Sequence, residues 1–209
     1  DGFSHILKAY GMGGGTIIAT YFSGIVDEHD LVVLGGYPGR LRDILGIWVE
    51  ECDALPKGKE NSFFWNGKQY PAVLLCDIMH METAKKQAIY ESDFYAGMPV
   101  ISCNQLGAGK AWYIATRSSG EFYQDLIRHI ARETGICPVW APVEGVEITE
   151  RRNETFRYLF FLNHMEEETA IAMELEGESL LDGMKYQKGE QAVLPGKGVM
   201  IYRVKIEQI

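Results

Sequence analysis

Residues 11–21 read GMGGGTIIATY, a cluster of glycines followed by a short β-branched run. Such a run between glycines is typical of a buried strand in a parallel sheet. A phosphate-binding or dinucleotide-binding loop needs the opposite order, in which the strand precedes the glycines and a helix follows them. The glycines therefore predict the end of a helix and a tight turn into a strand, and they argue against a cofactor loop.

Beyond this strand, the sequence predicts one short helix and several short strands. Residues 41–45 carry leucine and isoleucine at helical spacing, which predicts an amphipathic helix that ends at Gly46. The next segment, residues 47–51, predicts an exposed or edge strand. Two further strands flank Asn66 and Gly67, a dipeptide typical of tight hairpins, so that parallel and antiparallel strands are both expected.

The second half of this region predicts more antiparallel strands and a longer helix. Residues 90–95 and 99–103 predict another hairpin. The string GAGK at residues 107–110 lacks the full phosphate-loop pattern and precedes a strand, so it predicts a turn. Apolar residues at helical spacing over residues 122–130 predict a helix that stops near Gly135.

From about residue 142 the pattern changes to short alternating strands separated by glycines or polar clusters. The predicted strands cover residues 146–149, 157–162, 169–175, 191–194 and 199–204. The sequence thus predicts two domains, an α/β domain over residues 1–140 and a small antiparallel all-β sandwich over residues 141–209.

Composition and charge exclude several classes of protein. The chain has 209 residues, 46% hydrophobic and 23% charged, with a formal net charge of -9. No apolar run approaches the roughly 18–20 residues that span a bilayer, which argues against a membrane protein. The negative charge repels phosphate backbones on average, which argues against a nucleic-acid partner.

The cysteines give no sign of a metal site. They are widely separated along the chain: Cys52, Cys76, Cys103 and Cys137. Without a C-x-x-C pair or a Cys/His cluster, no zinc site is predicted. Cys76 and Cys103 follow apolar residues and are expected to be buried thiols in a reducing compartment, which predicts a cytoplasmic protein.

Cys76 also raises an enzymatic alternative, because His80 and Glu82 follow it closely. The sequence around it, L-C-D, lacks the G-x-C-x-G turn that exposes a nucleophile between a strand and a helix. The favoured interpretation is a buried thiol at the end of a strand, with His80 beginning a helix.

Longer segments are similar to a known family. Residues 13–55 and 76–116, which include YFSGIVDE and YESDFYAGMP, resemble the trimerisation domain of family 42 β-galactosidases. The strings YLFFLNH at residues 158–164 and LPGKGVMIYRV at residues 194–204 are similar to the small final domain of those enzymes. The chain opens with Asp1 and enters an apolar stretch directly, so it is expected to be a piece cut from a longer protein.

The resemblance implies a cytoplasmic homotrimer that hydrolyses terminal non-reducing β-D-galactosides with retention. It implies a class I glutamine-amidotransferase-like, or flavodoxin-like, α/β domain with a mixed sheet, followed by the β domain. The two catalytic glutamates of the family lie in an N-terminal (β/α)8 barrel, which also binds most of the substrate. This chain lacks that barrel, so no catalytic residue, metal ligand or cofactor is assigned to it, and the chain alone is expected to be inactive.

Two polar and aromatic loops are the candidates for a subunit interface or for access to a neighbouring barrel. The candidate residues are Ser23, Asp27, Glu28, Tyr90, Asp93 and Tyr95. The alternative function is a stand-alone amidotransferase-like module for binding or assembly, without hydrolase activity.

Overall fold

The structure, a computed structural model, describes residues 2–206. Contacts between residues divide the chain into two compact units that separate between Thr134 and Gly135. The division of the chain after residue 140 stays a prediction. Within the described part, no helix has the length and apolar character needed to cross a bilayer.

The first unit combines helices with two sheets. Its helices are α1 (Gly2–Met12), α2 (Arg42–Leu45) and α3 (Gly120–Thr134), with a 3-10 turn at Gly39–Leu41. Its strands are β1 (Thr16–Thr20), β2 (Ile47–Ala54), β3 (Glu60–Trp65), β4 (Lys68–Met81), β5 (Lys85–Ile89), β6 (Pro99–Leu106), β7 (Gly109–Ile114) and β8 (Thr116–Arg117).

The glycines that precede β1 end a helix, as predicted. The amide of Gly13 donates to the carbonyl of Ala9 at 3.0 Å, and the amide of Gly15 donates to the carbonyl of Tyr10 at 2.9 Å. Gly14 adopts a positive φ of 105°, which glycine accepts without steric cost. These bonds satisfy the last carbonyl groups of α1 and turn the chain into β1.

β1 belongs to a mixed sheet with the order β1-β7-β6-β5. β1 runs parallel to β7, with Thr16 opposite Lys110, whereas β7 and β6 are antiparallel. The predicted parallel strand and the turn between β6 and β7 are therefore confirmed. A Cβ at Gly109 would lie 2.1 Å from the carbonyl oxygen of Gly15, so this turn packs directly on the helix-to-strand connection.

The second sheet of this unit has the order β2-β4-β3, and β8 pairs with β4. Its β3–β4 hairpin turns at Asn66 (φ 48°) and Gly67 (φ 83°), the two positive angles that a type I′ turn requires. The predicted hairpin and the predicted edge strand β2 are confirmed. The prediction that His80 begins a helix is wrong, because β4 continues through His80 to Met81.

The structure of residues 90–98 differs from a second expectation, the strand predicted within this segment. The predicted strand over residues 90–95 is absent, and the chain forms a turn-rich loop between β5 and β6. The side-chain amide of Asn61 donates to the carbonyl of Ser92 at 2.8 Å, and its Oδ1 accepts the Ser92 amide at 3.1 Å. The start of the segment thus pairs with β3, where Tyr90 lies opposite Phe63, and the side chain of Asn61 satisfies the backbone of Ser92 beyond this bridge.

The helices end where the glycines predict. Gly46 closes α2 in the left-handed region (φ 64°), and Gly135 follows α3 with φ 69°. On α3, Phe122, Leu126 and Ile130 are buried at helical spacing. They pack into one of the two hydrophobic cores of the unit.

The second unit is built from antiparallel strands. They are β9 (Val146–Arg152), β10 (Phe156–Asn163), β11 (Thr169–Ala172), β12 (Gly177–Ser179), β13 (Lys185–Tyr186), β14 (Gln191–Leu194) and β15 (Val199–Lys205). They form one sheet of order β13-β12-β15-β10-β9 and a pair β11-β14. Phe161 of the larger sheet and Ile171 of the smaller pair lie in the same core, with Trp140. This is the β-rich C-terminal region that the sequence predicts.

Candidate functional site

A groove of about 530 Å³ lies between the start of α1 and the long segment that follows β1. That segment, residues 21–37, is called loop 21–37. Three of the predicted candidates, Ser23, Asp27 and Glu28, lie in this groove. The other lining residues are Phe3, Ser4, Gly24, Val26, Val33, Arg40 and Leu41.

Asp27 shapes the loop from within. Its Oδ1 accepts the backbone amides of His29 at 2.8 Å and Leu31 at 3.0 Å, and these two bonds lower the pKa of the Asp27 carboxyl. The turn is closed by the amide of Asp27, which donates to the carbonyl of Leu31 at 2.9 Å. Asp27 is thus a charged turn residue, and Glu28 beside it is left exposed to solvent.

Glycine allows the two arms of the loop to touch. A Cβ at Gly24 would lie 2.2 Å from the carbonyl oxygen of Pro38, and one at Gly39 would lie 2.7 Å from the carbonyl oxygen of Gly24. Both glycines also have positive φ. Gly24 and Gly39 therefore allow the backbone of residues 38–39 to pack directly against Gly24, one of the residues that line the groove.

The remaining candidates lie elsewhere in the first unit. Tyr90 is fully buried, and its hydroxyl donates to the carbonyl of Ala115 at 3.1 Å. Tyr95 is also buried and donates to Oδ2 of Asp53 at 3.0 Å. Asp93 is exposed, and its neighbour Phe94 is 73% exposed. The structure thus brings together Ser23, Asp27 and Glu28, and it places both tyrosines in the core.

A buried polar cluster, which sequence reasoning missed, lies at the base of loop 21–37. Asp77 on β4 is completely buried, and its Oδ2 accepts a 2.5 Å hydrogen bond from the hydroxyl of Tyr113 on β7. The hydroxyl of Tyr37 donates to the same oxygen at 3.3 Å and lies 3.0 Å from the Tyr113 hydroxyl. The signal in the sequence was an aspartate inside the apolar run LLCDIM, because a buried carboxyl needs specific partners.

Burial dominates the acid-base properties of this cluster. It raises the pKa of Asp77, although hydrogen bonds from Tyr113, Cys52 and Tyr37 lower it in part. Burial and the nearby Asp77 also raise the pKa of both phenols, so each remains a hydrogen-bond donor at neutral pH. The pKa of the Cys52 thiol rises to about 12, first through burial and then through Asp77.

Cys76 does not have the surroundings of an activated thiol. It is fully buried, its Sγ lies 3.6 Å from Oγ1 of Thr116, and burial raises its pKa. Activation requires the opposite shift. His80 lies four residues further along the same strand, about 13 Å away at strand spacing, and its Nε2 lies 2.7 Å from Oε2 of Glu50.

No metal-binding arrangement is seen in residues 2–206, where no three or more His, Cys, Asp or Glu side chains converge on a common point. All four cysteines are free. The groove beside loop 21–37 is lined by polar, charged and apolar residues.

Comparison with protein families gives two matches that follow one another along the chain. Residues 1–137 match the model described as a β-galactosidase trimerisation domain. Residues 145–203 match the model described as a β-galactosidase C-terminal domain.

Curated relatives agree with these matches. The chain is 46% identical over 170 residues to the β-galactosidase BgaP of Planococcus sp. (strain L4), which covers 78% of the chain and 25% of that protein. It is 42% identical to the β-galactosidase BgaA of Planococcus sp. (strain 'SOS Orange'), over 96% of the chain and 30% of that protein. The chain thus spans between a quarter and a third of the length of these relatives.

Solved structures show the same relationship. A β-galactosidase from Bacillus circulans sp. alkalophilus superposes with a TM-score of 0.86 at 40% identity, over 97% of the chain and 31% of that protein. A catalytic mutant of Gan42B, a GH42 β-galactosidase from G. stearothermophilus, superposes with a TM-score of 0.83 at 31% identity, over 97% of the chain and 30% of that protein.

Proposed function

The chain belongs to the glycoside hydrolase family 42 β-galactosidases, and we propose that it is the assembly and C-terminal portion of such an enzyme. The parent protein hydrolyses terminal non-reducing β-D-galactosides with retention. The observation that carries this proposal is the order of the two family matches, the first over residues 1–137 and the second over residues 145–203. We propose domains over residues 1–140 and 141–209.

The chemical step belongs to a part of the parent enzyme outside this chain. A retaining mechanism needs two carboxyl groups about 5–5.5 Å apart across the scissile bond. In the resembled family these are glutamates on the N-terminal (β/α)8 barrel, which binds most of the galactoside. The chain by itself is therefore inactive, and it needs no metal or cofactor.

The first domain has a class I glutamine-amidotransferase-like, or flavodoxin-like, fold. Two features support this assignment. A helix capped by glycines leads into β1, and β1 runs parallel to its neighbour β7 within a mixed sheet. Helix-to-strand connections of this kind are typical of α/β folds with parallel strands.

The partners are two further copies of the parent chain, in a cytoplasmic homotrimer, together with the chain's own barrel. Loop 21–37 and its groove are the proposed contact surface, with Ser23, Asp27 and Glu28 facing a neighbouring subunit. Asp93 supplies a second polar contact, while Tyr90 and Tyr95 support its loop from the core. The four free thiols support a reducing compartment.

The decisive experiment expresses the whole open reading frame that encodes residues 1–209 and compares its product with the 209-residue chain. The whole product is expected to hydrolyse an aryl β-galactoside, and the chain alone is expected not to. A whole product without hydrolase activity would favour the alternative function, a stand-alone assembly module. Turnover by the chain alone would overturn the assignment of the catalytic groups to the barrel.

A charge reversal tests the contact surface in the same whole product. Glu28→Arg is expected to lower the mass measured by light scattering from trimer toward monomer and to alter galactoside kinetics. Glu154→Arg makes the same charge change at an exposed position of the second unit and is the matched control. Unchanged mass and kinetics in the Glu28→Arg protein would contradict the assignment of loop 21–37 to the interface.

A further inference from the structure

A second pocket, of about 350 Å³, lies on the first unit between the end of β2, the start of β3 and the loop over residues 90–98. Its volume falls within the range of about 300–1,000 Å³ that is typical of sites for small molecules. Its polar and aromatic lining residues are Asp53, Lys59, Glu60, Asn61, Asp93 and Phe94. This cavity is called the Asp53 pocket.

Phe94 presents an aromatic ring at the pocket. The residue is 73% exposed, whereas Tyr90 and Tyr95 of the same loop are buried. The Phe94 ring meets the Tyr95 ring edge-on, with centroids 4.9 Å apart. The Tyr95 ring in turn meets the Tyr90 ring edge-on, also at 4.9 Å. The exposed ring is therefore supported from below by two buried rings.

The backbone beside Phe94 is held in an uncommon conformation. Asn61, which is 4% exposed, bonds both the amide and the carbonyl of Ser92. Asp93 then adopts a left-handed φ of 69°, and its Oδ1 accepts the amide of Phe94 at 2.7 Å. Residues other than glycine are uncommon in this region, and such positions cluster at ligand sites. The loop thus keeps Phe94 out of the core at the expense of backbone strain.

Asp53 supplies an oriented hydrogen-bond acceptor in the same pocket. The hydroxyl of Tyr95 donates to Oδ2 of Asp53 at 3.0 Å. Among residues 2–206 this is the one side-chain hydrogen bond of Asp53, so Oδ1 is available to a ligand. Tyr95 therefore contacts both the acceptor and the aromatic ring, and it fixes their relative position.

The charged side chains of the pocket do not neutralise one another. In the part of the chain that the structure describes, Asp53, Lys59, Glu60 and Asp93 form no ion pair. The pocket therefore offers a cationic donor together with anionic acceptors. A cationic ligand needs acceptors alone, and an anionic ligand needs donors alone. A neutral ligand rich in hydroxyl groups uses both, because each hydroxyl donates and accepts.

We propose that the Asp53 pocket is a non-covalent binding site for a pyranose sugar. The C–H groups on one face of the sugar ring pack on Phe94, because this face is apolar and matches an aromatic surface. One ring hydroxyl donates to Oδ1 of Asp53, and another accepts from the ammonium group of Lys59. The site goes beyond the proposed function, which assigns no small-molecule ligand to this chain.

Titration of the 209-residue chain with methyl β-D-galactopyranoside and methyl β-D-glucopyranoside tests the site. Saturation-transfer NMR of the sugar detects binding, and shifts of the protein amide resonances give the Kd. The wild type is expected to bind at least one of the two sugars with millimolar affinity. Glycerol is expected not to bind, because it has hydroxyl groups but no ring face. Phe94→Ala and Asp53→Asn are each expected to raise the Kd by at least about tenfold.

The matched control is Phe64→Ala, which removes an exposed phenylalanine of β3 that does not line the pocket. It is expected to bind sugar as the wild type does. Thermal unfolding of Phe94→Ala is expected to match the wild type, because the side chain is exposed, and this separates loss of the ligand contact from loss of the fold.

Three results would overturn the proposal. The first is a wild type that binds neither sugar at about 50 mM, well above a millimolar Kd. The second is binding of glycerol as tight as that of the sugars. The third is a wild-type Kd in both Phe94→Ala and Asp53→Asn. The measurement involves neither hydrolysis nor assembly, so failure of this site and failure of the proposed function are distinguishable.

Discussion

The hydroxyl of Tyr113 donates a 2.5 Å hydrogen bond to Oδ2 of Asp77, and both residues are completely buried although 36 positions separate them in the sequence. This bond joins β7 of the mixed sheet to β4 of the second sheet. The two sheets of the first unit are therefore connected by a polar contact within a mostly apolar interior. Replacing a residue at either end of this contact is therefore expected to change the stability of the first unit by a measurable amount.

Replacing Asp77 by asparagine is expected to change how stability depends on pH. The pKa of Asp77 is raised in the folded state, so its contribution is fully present below the ordinary aspartate pKa and is lost as pH rises through the folded value. Relative to Asp77→Asn, the wild type should therefore lose about 1.4 kcal/mol per unit of pKa elevation. Urea unfolding at several pH values measures this difference. The exposed Asp43→Asn is the control, and a pH-independent difference between Asp77→Asn and wild type would contradict the prediction.

Adjacent residues of α3 should respond very differently to truncation. Leu126 is 1% exposed and packs in the core, whereas Ile127 is 54% exposed. Leu126→Ala is expected to lower the free energy of unfolding by about 2–5 kcal/mol because it leaves a cavity. Ile127→Ala is expected to change it by no more than about 0.5 kcal/mol. Equal losses in denaturant titrations would mean that the buried face of α3 is assigned wrongly.

Gly109 should not accept even one added methyl group. The new Cβ would lie 2.1 Å from the carbonyl oxygen of Gly15 and 2.5 Å from that of Gly11. Because both neighbours are backbone atoms, Gly109→Ala is expected to destabilise the first unit by about 1–3 kcal/mol. Gly120→Ala, where the Cβ meets nothing within 4 Å, should change stability by less than about 1 kcal/mol. Thermal unfolding of the two variants compares them directly.

The four thiols should react with a disulfide reagent in a fixed order. Cys137 is exposed and should react first. Cys52 and Cys103 should react slowly, because burial raises their pKa values to about 12 and about 11. Cys76 should react only on unfolding. Cys137→Ser should abolish the fast phase, and a fast phase that survives this change but disappears in Cys76→Ser would revive the thiol-enzyme alternative.

Local signals in the sequence were read correctly where the structure depends on local geometry. The hairpin could be predicted from Asn66 and Gly67, because a two-residue turn needs two positive φ angles that these residues adopt readily. The end of α2 could be predicted from Gly46, which adopts the positive φ angle of a helix C-terminus. In each case the conformation is fixed by a residue and its immediate neighbours.

Prediction from the local sequence was wrong at residues 90–95, expected to form a strand, and at His80, expected to begin a helix. The aromatic segment YESDFY has strand-like composition, yet Tyr90 and Tyr95 are drawn into the core and Asn61 on β3 satisfies the backbone of Ser92. His80 follows an aspartate and an apolar run, and it continues β4 because β2 pairs with it along this part of the strand. Both outcomes depend on partners far away in the chain.

The sequence by itself determined the order of helices and strands in broad terms, the glycine turns and the family to which the chain belongs. It also predicted that Ser23, Asp27 and Glu28 belong to a loop with a role in contact or access. Only the tertiary structure decided that Ser23, Asp27 and Glu28 share a groove, and that Tyr37 meets Asp77 across 40 positions of sequence. The physical reason is that turns and caps are set by backbone angles of neighbouring residues, whereas burial and hydrogen bonding of distant side chains arise only when the sheets pack.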